Sequence, residues 1–192
     1  MTGPTSKANT ASRRAARRFL ELFYPIHYLV GGQIEDALRR RVLTRQQACI
    51  LWTIRMEGEV QPDGGRVMRR KDIERAVAEW YEVTSSAISK SLRALSAPPM
   101  GLIAISEDPS NGREKLVSLT EQGQRHVAAM FDSGEALIEQ ITARLTHDEI
   151  ETGLHFLKRV ADIHDALLPE AADKDNEQGA GPTERQATAS GR

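Results

Sequence analysis

The segment TSSAISKSLRALS, Thr84 to Ser96, is followed at once by two short β-rich runs, LIAIS and KLVSL, with a turn-rich basic segment between them. Thr84 is a good N-cap, and the helix it starts must end before Pro98-Pro99, because a residue preceding proline is pushed out of the α region. Ile88, Leu92 and Leu95 fall at i, i+4 and i+7 and share one face. Ser86, Ser89, Lys90 and Arg93 fall at i, i+3, i+4 and i+7 and share another. One side of this helix is suited to a core. The other carries short hydroxyls near the N-terminus and two cations further on.

What precedes and follows narrows the fold further. Residues 1–11 are small and polar and are expected to be a disordered arm. From Ser12 the pattern is helical, with Phe19, Leu22, Phe23, Ile26 and Val30 along one face. Pro25 is a kink point and Gly31-Gly32 a bend, before the helix resumes through QIEDALRRR. In LTRQQACILWTIRMEG, Thr44 and Gln47 have the spacing of a capping box and Gly58 punctuates. EGEVQPDGGR reads as an exposed loop. RRKDIERAVAEWY is helical, with Ile73, Val77 and Trp80 on one side.

After the two β-rich runs, Thr120 caps a helix expected to reach about Arg144, with Gly123 unfavourable in its first turn. Thr146 and Glu149 form a second capping box. The helix they start lays Ile150, Leu154, Leu157, Ala161 and Leu168 on an apolar stripe and should stop at Pro169. Residues 169–192 are polar and expected to be disordered. Three helices, a short break, a fourth helix and two strands around a basic loop make the order of a winged helix-turn-helix. The fold class is mainly α, with a two-stranded β-wing.

Composition excludes several alternatives. A chain of 192 residues with 40% apolar and 28% charged residues suits one globular domain. No apolar run approaches the ~18 residues of a membrane span, so no membrane partner is expected. The first residues lack the apolar core of a secretory signal, and the single cysteine, Cys49, fits a reducing compartment. A cytoplasmic location follows as an expectation. Net charge is −1, but residues 1–45 carry +6, residues 46–119 carry zero and residues 120–192 carry −7. Such asymmetry is compatible with a polyanionic partner and equally with solvated acidic helices. There is no Gly-rich phosphate loop, thiol pair or nucleophile motif. Neither an enzyme nor a cofactor is expected, and no metal.

A helix with short side chains at its start can enter a DNA major groove without clashing, and its N-terminus favours a phosphate. Thr84, Ser85, Ser86 and Ser89 then bond bases or phosphates, while Lys90 and Arg93 supply cationic contacts. The expected loop, Glu107 to Arg113, is longer than an economical hairpin turn. Arg113 at its exit, and Lys115 beyond it, can reach a phosphate or the minor groove. Asp108 is expected to pair with Arg113 and stiffen the loop. A Ser/Lys/Arg face that is merely solvated remains the bland alternative.

LIAISEDPSNGREKLVSLTEQG resembles the wing of MarR-family transcription regulators. Asp108-Pro109, Arg113, Lys115, Val117, Leu119-Thr120 and Gly123 carry the likeness. LTRQQACILWTI resembles that family's helix before the reading pair, and LTHDEIETGLHFLKRV its C-terminal dimer helix. The likeness runs from about Phe19 to Leu168 and is most specific over Ile103–Gly123. It implies a winged domain over 12–168, with a DNA-binding lobe at about 44–120 and dimerisation helices at about 12–41 and 121–168. It places the recognition helix at Thr84–Leu95 and the wing at Leu102–Leu119. The partners it implies are double-stranded DNA, a second copy of the chain and a small aromatic effector. The sequence departs at AEWYE, Ala78 to Glu82, which is longer than the family's tight turn between the reading helices, and at Asn111-Gly112, where a second wing arginine is usual. A winged-helix module that binds protein instead of DNA is the alternative function.

Four further features have two readings each. Phe23, Tyr24, His27, Tyr28 and Trp52 either line an effector pocket or belong to the core, and core is the reading preferred. Cys49 is either a peroxide-sensing thiol, of the kind some members of that family use, or a buried, inert one, which its apolar neighbours favour. His147, Glu151 and His155 share a helical face, yet i to i+8 spans ~12 Å, too far for one ion. RRAARR, Arg13 to Arg18, is either an arm for phosphates or a solvated helix end.

Overall fold

The computed structural model describes residues 5–62, 64–109 and 111–178, and within them the side chains from Thr10 to Leu167 other than that of Arg113. Two compact units divide at Gln140/Ile141.

In the first unit, α1 spans Thr5–Ile26, a π-helical turn spans His27–Gly31, and α2 spans Gly32–Arg39. The widened turn follows Pro25, whose missing N–H interrupts the regular ladder, so the expected kink is a local widening of one helical run. The helix starts seven residues before Ser12, inside the segment expected to be disordered. Ala8, Ala11 and the residues around them are adequate helix formers, and polarity alone does not prevent a helix. Residues 1–4 lie outside the described residues. The α2 end comes earlier than expected: Arg40 and Arg41 both adopt left-handed backbone, φ 50° and 56°, and the Arg40 N–H bonds to the carbonyls of Asp36 and Ala37.

Helix α3, Arg45–Glu57, begins with the predicted capping box: Thr44 Oγ1 accepts the Gln47 amide at 3.2 Å, and Gln47 Oε1 accepts the Thr44 amide at 2.9 Å. Strands β1 (Glu59–Val60) and β2 (Arg66–Arg69) follow, then α4 (Arg70–Trp80), α5 (Ser85–Ser96), β3 (Ile103–Asp108), β4 (Asn111–Leu119) and α6 (Glu121–Thr142). Thr84 caps α5 by accepting the Ala87 amide at 3.2 Å, as predicted.

The sheet has four antiparallel strands in the order β1-β2-β4-β3, where the sequence indicated two. The expected loop at Glu57–Arg66 is a small hairpin. It is closed by Gln61 N–H to Gly65 O at 2.9 Å and by Gly64 with φ 79°, and it delivers Val67 and Met68 opposite Ser118 and Val117. A four-residue strand flanked by arginines has too little alternation to be recognised locally. The wing is also tighter than expected. Its strands reach Asp108 and resume at Asn111, with a register shift between Glu107 and Asp108. Most of the expected loop is therefore ladder.

The core draws on α3 to α6 and on β3 and β4: Leu43 before α3, Ile50, Leu51 and Ile54 in α3, Ile73 and Val77 in α4, Ile88, Leu92 and Leu95 in α5, Ile103 in β3, Val117 in β4, and Val127 and Met130 in α6. Gly123 has a tertiary cause. A Cβ there would lie 1.9 Å from the Leu102 carbonyl oxygen, so α6 can start beside that backbone only without a side chain.

The second unit contains α7, His147–Gln178. Thr146 and Glu149 form the predicted box, with Glu149 Oε2 accepting the Thr146 amide at 2.8 Å. The helix continues past Pro169, the expected stop, through EAADKDNEQ, whose helix-forming residues outweigh the one lost hydrogen bond. The part of the expected disordered tail up to Gln178 is therefore helical, and residues 179–192 lie outside the described residues.

Candidate nucleic-acid interface

Helix α5 separates its two faces completely. Ile88, Leu92 and Leu95 are no more than 2% exposed, while Ser85, Ser86, Lys90 and Arg93 are exposed. Among the described residues neither Lys90 nor Arg93 has an ion-pair partner. Two cations one turn apart therefore project from the surface of the lobe.

The hydroxyls are not equally available. Thr84 is occupied as the cap and lies 3.0 Å from Ser86 Oγ. Ser85 Oγ donates to the Glu74 carboxylate, 3.3 Å from both oxygens. Ser89 is half-buried; its hydroxyl donates to the Ser85 carbonyl at 2.7 Å and accepts from Arg70 Nη2 at 2.8 Å. The sequence placed Ser89 with the free side chains, because Arg70 is 19 residues away and belongs to another helix.

The wing is held at its base. Asp108 is buried, 6% exposed, and lies 3.7 Å from Arg69 Nε. The expected partner was Arg113, whose side chain lies outside the described residues. Arg69 fits because β2, a strand the sequence did not reveal, runs beside β4. Arg69 Nε also lies 3.3 Å from Glu114, which Lys71 contacts in turn. Lys115 faces Glu107 across the β3–β4 ladder at 2.7 Å, and that hydrogen bond, with the ammonium charge, lowers the Glu107 carboxyl below its usual range. Lys115 is thus an exposed but paired cation. Arg69, Arg70, Lys71 and Lys115, with Glu74 and Glu114, line a cleft of about 300 Å³ between the start of α4 and the wing. Sequence reasoning passed over RRK as an ordinary helix start, though three adjacent cations were the available signal.

A larger cavity, about 640 Å³, opens beside α3. Its walls include His27, Tyr28, Trp52, Trp80 and Tyr81. Three of the five aromatic candidates are therefore there, while Phe23 and Tyr24 are not. The preferred core reading fails for most of the group: Phe23, Tyr24 and Tyr28 are 45%, 59% and 61% exposed, because α1 carries them on a face that α3–α6 do not cover. Trp52 is held by stacking on Phe131, with centroids 4.6 Å apart. One wall is polar: Glu35 pairs with Arg45 at 2.5 Å and accepts the Tyr81 hydroxyl at 3.2 Å. Burial, followed by the Glu35 charge, pushes that hydroxyl up to about 12.

Cys49 also lines this cavity, yet it is buried, and burial raises its thiol to about 11. The burial is what its apolar neighbours indicated, and a thiol raised this way is neutral at neutral pH. His147, Glu151 and His155 are exposed on α7, and among the described residues no group of three or more His, Cys, Asp or Glu side chains could hold a metal ion. Arg13, Arg14, Arg17 and Arg18 are exposed on α1. No helix among the described residues is long and apolar enough to cross a membrane.

Residues 43–123 match the winged helix DNA-binding domain family. No curated protein matches the chain in sequence. Among solved structures, transcriptional regulator Tm0710 from Thermotoga maritima is 21% identical, with a TM-score of 0.56 over 80% of this chain and 98% of its own. A MarR mutant from E. coli is 22% identical, with a TM-score of 0.55 over 73% of this chain and 96% of its own. A MepR mutant from S. aureus bound to an oligodeoxyribonucleotide is 22% identical, with a TM-score of 0.51 over 74% of this chain and 94% of its own. These likenesses establish the fold.

Proposed function

We propose that this chain, which shares the winged helix fold of MarR-type transcriptional regulators, is a sequence-specific DNA-binding regulator that works as a homodimer in the cytoplasm. One observation carries the reading. Within the segment that matches a winged helix DNA-binding domain, α5 buries its whole apolar face and presents Lys90 and Arg93 without internal partners among the described residues. Desolvated acids would be the natural complement of such cations if they served folding. Left exposed one turn apart, beside a wing, they are suited to contact phosphates and base edges in a major groove.

In this reading Ser86, Lys90 and Arg93 enter the groove, the start of α5 at Thr84 and Ser85 approaches the backbone, and Arg113 with Lys115 reaches a phosphate or the minor groove. Two copies present two α5 helices, so the operator is a near-palindrome with half-sites about one DNA turn, roughly 10 bp, apart. The exposed apolar faces of α1 and α7 supply the dimer contacts. The cavity beside Trp52 admits a small aromatic effector, whose occupancy would act on Tyr81, three residues before the α5 cap. The test is selection of bound genomic fragments by the full chain, followed by affinity measured against salt. Specific binding that weakens steeply with salt supports the reading, since phosphate contacts release counterions. Salt-insensitive or absent DNA binding, together with capture of a protein partner, would favour the winged-helix interaction module instead.

A further inference from the structure

The first turns of α4 and α5 are tied together by four side chains. Arg70 donates to Glu74 Oε1 through Nε at 2.9 Å, and its Nη2 lies 2.8 Å from the same oxygen. The same Nη2 donates to Ser89 Oγ at 2.8 Å. Glu74 accepts the Ser85 hydroxyl, and Ser89 returns its own proton to the Ser85 carbonyl at 2.7 Å. Both serines belong to α5; both members of the ion pair belong to α4. The Arg70 and Glu74 side chains are 40% and 26% exposed, so the pair contributes little to global stability.

From this geometry, and resting on the reading of α5 as a recognition helix, we infer that Arg70 and Glu74 are positioning residues for base recognition. They set the roll of α5 so that Ser86, Lys90 and Arg93 face the bases while Ser85 and Ser89 are withdrawn. Successive residues on an α-helix are separated by roughly 100°, so a roll of a few tens of degrees exchanges the side chains that reach a base edge. Burial of Ile88, Leu92 and Leu95 holds α5 down on the lobe, where close packing restricts a roll, although the hydrophobic effect itself has no direction. Hydrogen bonds are directional and oppose it. The connection from Tyr81 to Thr84 is held to the lobe by the Tyr81 hydroxyl, which donates to Glu35 at 3.2 Å, and by Val83 packed on the core, so it fixes where α5 starts, while the Arg70–Ser89 and Glu74–Ser85 bonds act on the first two turns of α5 directly.

The experiment uses the full chain and a library of randomised duplexes, comparing wild type with Arg70→Gln, Ser89→Ala and the double variant, each at several salt concentrations. Ser89→Ala breaks the same tie from the other helix with a residue that favours helix, which guards against a folding defect in Arg70→Gln. Thermal melts of all four proteins should nearly coincide. Arg70→Gln should lower the preference for selected over scrambled DNA by about tenfold and alter the preferred bases, with an unchanged salt slope. Ser89→Ala should do the same, and the double variant should be no worse than either single. A base preference that persists in all variants overturns this inference alone. So does a salt slope reduced by ~1 in Arg70→Gln with losses that add to those of Ser89→Ala, because Arg70 would then be touching a phosphate itself. A wild-type chain without any base preference overturns the recognition-helix reading, and this inference with it.

Discussion

Helices α5 and α1 belong to the same unit and carry the same kind of apolar stripe, yet they end in opposite environments. In α5, Ile88, Leu92 and Leu95 are at most 2% exposed. In α1, Phe19, Leu22, Phe23 and Ile26 are 41–59% exposed. Periodicity identifies a face that must leave water, and it is silent on what covers that face. The lobe around α5 closes on itself through α3, α4, α6 and the sheet. The α1 face is exposed in the single chain, and the proposed dimer assigns a second copy to it.

The strongest challenge to this contrast is on the self-closed side. Gly123→Ala places a methyl within 1.9 Å of the Leu102 carbonyl and should cost at least ~3 kcal/mol in urea unfolding. Leu92→Ala, which leaves a cavity in the same core, should cost about 2–5 kcal/mol. If either variant unfolds at the wild-type midpoint, the lobe is not packed as described. On the open side, Phe23→Asp should leave the fold intact by circular dichroism. It should weaken self-association by about a hundredfold, since a charge would be buried at the seam. Sedimentation of that variant as an undiminished dimer would remove α1 from the interface.

Two smaller effects sharpen the comparison at single groups. The folded Cys49 thiol lies above its ordinary value of 9, at about 11, because of burial. Its contribution to stability is therefore complete below about pH 9 and lost as pH rises to about 11, a change on the order of 2 kcal/mol that Cys49→Ala should abolish. Denaturation curves across that window check this, and alkylation of the native thiol at neutral pH should be slow. Lys90, by contrast, is exposed and should matter only to DNA. Lys90→Ala should weaken operator binding by up to about tenfold and, if the contact is to phosphate, reduce the salt slope by ~1 without moving the unfolding midpoint.

The features legible in advance were local ones. The caps at Thr44, Thr84 and Thr146 each act within three residues, and each is present. The inward face of α5 followed from spacing alone, since any helix with that sequence puts Ile88, Leu92 and Leu95 together. The features that were missed required partners distant in the chain. RVMR became a strand because β4 lay beside it; in isolation it is a short run between arginines. Arg69 approaches Asp108 from that same strand, while the Arg113 side chain expected beside Asp108 lies outside the described residues.

The amino-acid order by itself therefore determined where the capped helices α3, α5 and α7 start, which faces are apolar, and that a basic hairpin follows a helix with a cationic outer side. Those properties depend on backbone propensity and on side-chain spacing within a few residues, which are present before any folding. Only the tertiary structure decided which of the polar side chains remain free to act. Ser85 and Ser89 look like Ser86 in the sequence, but α4 brings Glu74 and Arg70 to them and satisfies their hydrogen bonds inside the lobe. A side chain's availability depends on every element packed near it, and that set is assembled only when the chain closes.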